Sequence, residues 1–150
     1  MDDIDRKLLN EIQSHFPITK RPYEALGTRL NCSEDEILKR VERLRKEGII
    51  RRIGGNFDSK RLGFATTLCA AKVSDDKINR FVEVVNRYPE VTHNYLRNHY
   101  YYNIWFTLVA PNMKVINRYI EEIIRDTGVG EILNLPAVKT FKILVDFDLA

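Results

Sequence analysis

The sequence predicts an α+β protein in two parts, an N-terminal winged helix-turn-helix followed by a ferredoxin-like β-α-β-β-α-β domain. Two observations predict it. Apolar side chains recur at helical spacing in three short runs before Gly48, with brief connections between them, which suits a helix-turn-helix. Beyond Gly63, strand-like and helical runs follow in the order strand, helix, strand, strand, helix, strand. The expected domains are residues 1–60 and 61–150.

The first helix is predicted over 3–15, with Ile4, Leu8, Leu9 and Ile12 on one stripe and acidic residues at its positive end. Pro17 and Pro22 bracket a turn, and Tyr23, Leu26 and Leu30 mark a second, shorter helix. Ser33-Glu34-Asp35-Glu36 reads as a capping box that opens a third helix. Ile37, Val41 and Leu44 face inward there, and Gly48 stops it. Residues 49–57 contain Arg51-Arg52-Ile53-Gly54-Gly55 and are expected to form a short hairpin, the wing. Asp58 to Gly63 links to the second half.

In that half, residues 64–73 read as a strand. Ile78, Phe81, Val82 and Val85 then give an amphipathic helix that ends before Pro89. Strands are expected at 91–99 and 102–110, close enough for a hairpin. Ile116, Tyr119, Ile120, Ile123 and Ile124 mark a last helix ending near Gly128. A final strand is expected where Phe141, Ile143, Val145 and Phe147 alternate with Lys142, Leu144 and Asp146.

Composition excludes several classes. With 44% hydrophobic and 30% charged residues, the chain has the balance of a globular protein rather than a disordered one. Cys32 and Cys69 stand far apart without CxxC spacing, so neither a disulfide framework nor a zinc site is indicated. No apolar run approaches a membrane span. The N-terminus is acidic where a signal peptide would be basic and then apolar, and the expected location is cytoplasmic. A net charge of +3 is too small to demonstrate nucleic-acid binding. The third helix carries Lys39, Arg40, Arg43, Arg45 and Lys46, but Glu36, Glu42 and Glu47 interleave with them and would oppose DNA.

Residues 91–106 are the most informative stretch. They hold two of three histidines, four of seven tyrosines and the only tryptophan, a density that core packing alone does not require. If 92–99 is one strand, period-2 alternation puts His93, Tyr95, Arg97 and His99 on a single face. Such a face joins two imidazoles, a fixed cation and a phenol. It has the makings of a site.

The helix-turn-helix and ferredoxin-like pairing resembles the Lrp/AsnC family of transcription regulators. The likeness rests on Asp5-Arg6-Lys7-Leu8-Leu9, on Cys32 to Leu44, on Glu47-Gly48-Ile49-Ile50 and on Phe57 to Gly63. Residues 93–106 narrow it, because His-Asn-Tyr-x-Arg-x-His followed by Tyr-Asn-x-Trp-Phe is similar to the siroheme decarboxylases, an enzymatic offshoot of those regulators. Phe16-Pro17, Arg21-Pro22-Tyr23 and Arg51-Arg52-Ile53-Gly54 share that similarity. The glycine-containing turn and Asp-Tyr pair usual in the regulators are missing, against an amino-acid effector.

The resemblance implies loss of carbon dioxide from two acetate side chains of siroheme, in the alternative route to haem. It implies a heterodimer with a homologous second subunit and no cofactor beyond the iron tetrapyrrole substrate. His93 and His99 are then candidates for proton donation or for axial ligation of the iron, and spacing does not separate the roles. Arg97 would pair with a substrate carboxylate, and Arg51 or Arg52 could reach others. Tyr95 and Tyr102 would stack on the macrocycle or donate hydrogen bonds, whereas Trp105 is expected to be structural. The alternatives are a DNA-binding regulator, which would send Arg51 and Arg52 to phosphates, and a haem-binding sensor without turnover.

Overall fold

A computed structural model describes residues 1–143 and 147–149. It divides into two compact units, one of Met1–Gly55 with Lys142–Ala150 and one of Asn56–Phe141.

The first unit holds three helices, α1 (Asp3–Ser14), α2 (Pro22–Leu30) and α3 (Glu34–Lys46). Leu8, Leu26, Ile37, Val41, Leu44 and Ile50 form its core. The reciprocal capping box stands at α1, where Asp2 and Asp5 each accept from the other's backbone N–H at 2.9 Å. At α3 only half of the expected box forms. Ser33 accepts from the Glu36 N–H, but the Glu36 carboxylate is held by Arg40 one turn on, at 2.9 Å. Gly27 allows α2 to approach the next turn closely, since a Cβ there would lie 2.6 Å from the Cys32 carbonyl oxygen.

The bases of α3 are largely committed within the unit. Arg43 and Arg40 reach the buried carboxylate of Asp5 at 2.7 and 2.8 Å, and Lys39 and Lys46 pair with Asp35 and Glu42. The expected wing hairpin does not form, for residues 49–57 contain no strand. Instead the N–H groups of Ile49 and Ile50 bond back to the Leu44 carbonyl, and Ile50 is buried in the helical core. That burial competes with strand pairing.

The second unit is an antiparallel four-stranded sheet of order β2-β3-β1-β4, formed by β1 (Ala65–Ala71), β2 (Val91–Leu96), β3 (Ile104–Ala110) and β4 (Ile132–Pro136). Helices α4 (Ile78–Val85) and α5 (Met113–Thr127) supply Phe81, Val84, Val85, Ile116, Ile120 and Ile123 to a core with Cys69, Ile104, Phe106 and Leu108. Strict alternation along β3 puts Ile104, Phe106, Leu108 and Ala110 inward. The order β-α-β-β-α-β matches expectation, with one displacement. The last strand is 132–136, directly after α5, where it takes the free edge of β1. Phe141 to Ile143 and Phe147 are not in a strand, and Leu144 to Asp146 lie outside the described residues. Phe147 exchanges two backbone hydrogen bonds with the Gln13 side chain on α1.

Candidate active site

The helices cover one face of the sheet and leave the register to decide what stands on the other. His93 lies opposite Thr107 and Tyr95 opposite Trp105, while Thr107 and Trp105 lie opposite Leu68 and Ala70 on β1. Cross-strand partners share a face, so His93, Tyr95, Trp105 and Thr107 stand together away from the helical core. A bulge between Val91 and His93 makes this possible. Without it, His93 would oppose Phe106 and point into the core; the extra residue turns it outward.

Only His93 and Tyr95 of the expected face lie within β2, which ends at Leu96. Arg97 and His99 belong to the connection that follows, so strand alternation does not place them. The connection is nonetheless fixed. The Arg97 N–H bonds the Asn103 carbonyl at 2.7 Å, and the Asn103 side chain donates to the Val73 carbonyl while accepting from the Val73 N–H. Trp105 Nε1 donates to the Tyr102 carbonyl at 2.9 Å.

Held in this way, the side chains form a continuous series. The His93 and Tyr95 rings are 6.0 Å apart. The Arg97 guanidinium lies 5.8 Å from the Tyr95 ring centroid and 5.6 Å from that of Trp105, a cation against two aromatic faces. His99 meets Trp105 edge-on at 6.2 Å and stacks on Tyr100 at 4.7 Å and Tyr102 at 6.3 Å. Trp105, expected to be structural, thus joins the two halves of the cluster. Arg51 and Arg52 are exposed residues of the other compact unit.

The two histidines differ in a way that sequence spacing could not reveal. His99 Nδ1 accepts from the backbone N–H groups of Tyr101 and Tyr102, at 3.2 and 3.0 Å. A ring nitrogen that accepts carries no proton, so the hydrogen of the neutral imidazole sits on Nε2. His93 Nδ1 lies 3.0 Å from the Thr92 hydroxyl, which can donate or accept. The Thr92 contact suits either tautomer of His93, whereas the two backbone donors at His99 Nδ1 leave Nε2 as its hydrogen-bond donor. Thr92 and Asn103, whose hydrogen bonds hold this cluster, were given no role by the sequence reading, and Trp105 was expected to be structural. Asn103 and Trp105 both carried a signal, their places in the Tyr-Asn-x-Trp-Phe run, and Thr92 carried none.

Comparison with known proteins identifies the family. A family described as the AsnC-like ligand binding domain matches residues 61–142, and one described as the siroheme decarboxylase NirDL-like HTH domain matches 5–51. The siroheme decarboxylase alpha subunit of Desulfovibrio desulfuricans is 55% identical over 98% of this chain and 84% of its own length. The chain belongs to the siroheme decarboxylase subunit family. A crystal structure of the siroheme decarboxylase NirDL in complex with an iron-uroporphyrin III analogue superposes with a TM-score of 0.66 at 32% identity. It covers 95% of this chain, which spans 48% of that one. Escherichia coli AsnC superposes with a TM-score of 0.76 at 18% identity over 97% of both chains, a likeness of fold alone. The siroheme decarboxylase subunits thus share the fold of the regulators, and membership rests on the closer sequence relatives. No helix among the described residues is long and apolar enough to cross a membrane.

Proposed function

We propose that this chain is one subunit of a siroheme decarboxylase, a carboxy-lyase that removes carbon dioxide from two acetate side chains of siroheme to give didecarboxysiroheme in the alternative haem pathway. It works in the cytoplasm with a homologous second subunit. The observation that carries the reading is the unbroken series His93, Tyr95, Arg97, Trp105 and His99 in a chain 55% identical to a siroheme decarboxylase alpha subunit.

The chemistry follows from the groups. An iron tetrapyrrole offers a flat apolar disc with carboxylates on its rim, so it needs aromatic surface and cations together. Tyr95, Trp105 and Tyr102 offer the surface. Arg97 offers a planar fork for a carboxylate, pre-oriented by the rings that flank it. In the reaction the bond from the side-chain methylene to its carboxylate breaks, carbon dioxide leaves, and the electron pair left on the methylene takes up a proton to give a methyl group. His93 is assigned as the proton donor, because its Nδ1 can donate to Thr92 while Nε2 delivers the proton. His99, whose Nδ1 is occupied by two backbone donors, donates its Nε2–H to a substrate carboxylate. The Thr92 contact at Nδ1 leaves the His93 Nε2 available to ligate the substrate iron.

The test is anaerobic incubation of siroheme with both subunits, followed by the mass of the extracted tetrapyrrole. The expected product lacks two carboxyl groups. An unchanged mass after prolonged incubation would return the chain to the regulator or sensor readings.

A further inference from the structure

Beside His99 the second unit carries a cleft of about 490 Å³, on the side of the loop away from Arg97 in sequence. Its walls come from three segments: the end of β1 and the turn after it, the 99–103 loop, and Gly128 to Glu131 after α5. Two lysines, Lys72 and Lys77, line it together with His99, Tyr101 and Asn103.

Several features make this a site for anions rather than a surface crease. Both lysines are exposed, and among the described residues neither forms an ion pair with a carboxylate. Most bases of α3, and Arg61, Arg80, Arg87 and Arg118 of this unit, do have such partners. The Lys72 ammonium lies 4.0 Å from the centre of the Tyr101 ring, which holds the flexible side chain at the cleft without neutralising it. The one carboxylate in the lining, Glu131, hydrogen-bonds with the Tyr101 hydroxyl and keeps that phenol protonated above its usual range. The cleft volume is of ligand size, enough for an edge of a tetrapyrrole.

We propose that this cleft receives one carboxylate-bearing edge of the tetrapyrrole, with Lys72 and Lys77 binding carboxylates that are not removed and so fixing which edge meets His99. The proposal rests on the function assigned above and extends it. Lys72 and Lys77 are specificity residues for a polycarboxylate ring, and neither was singled out by sequence pattern. Arg97 shares the Trp105 ring with His99 and the two lysines share its cleft, and among the described residues none of these three cations pairs with a carboxylate.

The experiment uses the complex purified with its partner subunit and a Lys72→Gln, Lys77→Gln double variant. Binding of iron-uroporphyrin III is followed by absorption at two salt concentrations, and siroheme turnover by product mass. Losing two charge-assisted contacts should weaken binding and raise KM by roughly tenfold to a hundredfold, with kcat nearly unchanged and a smaller salt dependence. A Lys72→Arg, Lys77→Arg variant should recover most of the loss, which a purely structural role would not produce. Lys114→Gln, which removes an exposed charge elsewhere on the unit, should behave as wild type. Unchanged affinity and KM in the double glutamine variant would overturn the subsite while leaving the enzyme reading intact. An equal loss in Lys114→Gln would overturn it as well, as a general charge effect. If the wild-type complex neither binds iron-uroporphyrin III nor consumes siroheme, the function itself fails, and the subsite with it.

Discussion

Replacing Asp5 by Asn should destabilise the helical unit by about 2 kcal/mol at neutral pH. Asp5 is 1% exposed and accepts from Arg43 through both carboxylate oxygens at 2.7 Å, from Arg40 at 2.8 Å, and from the Asp2 backbone N–H at 2.9 Å. Burial alone pushes this carboxyl up. The Arg43 hydrogen bonds, the Asp2 backbone and Arg40 outweigh it and hold the carboxyl down at about 2, against an ordinary 3.8. The sign follows from that depression. The ionised form favours the folded state fully above pH 3.8, and the benefit is lost as pH falls through about 2. A depression of this size corresponds to about 2 kcal/mol. Asn keeps the shape and removes the charge. Urea unfolding followed by far-UV circular dichroism should show the full difference between wild type and variant at pH 7. That difference should narrow as pH drops from 3.8 towards 2, and because both proteins share every other titrating group, it isolates Asp5. A difference below about 0.5 kcal/mol at pH 7, the scale of an ordinary surface change, would refute the reasoning. So would a difference that persists unaltered at pH 2.

Other perturbations separate the roles assigned at the site and in the core. His93→Ala should lower kcat by roughly a hundredfold or more with little change in KM, whereas His99→Ala should mainly raise KM. A shift of the visible spectrum of bound siroheme in His93→Ala would instead mark His93 as an iron ligand. Gly27→Ala should cost about 1–3 kcal/mol in urea unfolding, because the added methyl would meet the Cys32 carbonyl oxygen at 2.6 Å; a neutral effect would mean that the turn can move aside. Fluorescence anisotropy at physiological salt should find less than about tenfold preference for any operator over random DNA, since the bases of α3 are largely paired with its own acids and with Asp5.

Much of this fold could be read from periodicity. The stripes of α1, α3, α4 and α5 fell where apolar spacing put them, because each helix buries one face in a local core. The strand at 132–136 was not anticipated, for the opposite reason. Ile132 to Pro136 is short and half exposed and gave little pattern, yet it follows α5 directly and reaches the free edge of β1, while part of the expected 141–147 strand lies outside the described residues. The wing failed similarly, since burial of Ile50 outweighed strand pairing. At the site, the residue types of 93–106 were legible, but their arrangement was not. The bulge that turns His93 outward and the Nδ1 acceptor of His99 depend on backbone geometry that no side-chain pattern encodes. Lys72 and Lys77 gave no signal, being lysines on an exposed turn that the chain brings beside His99 only once folded.

The central claim is that this subunit and its partner decarboxylate siroheme and protonate the carbon left behind. Anaerobic turnover in deuterium oxide, with the tetrapyrrole extracted and read by mass spectrometry and proton NMR, tests both halves at once. The account predicts loss of two carboxyl groups, with one deuterium in each new methyl group, and a rate that collapses in His93→Ala. Siroheme recovered with all its carboxyl groups from the complete, folded complex would contradict it.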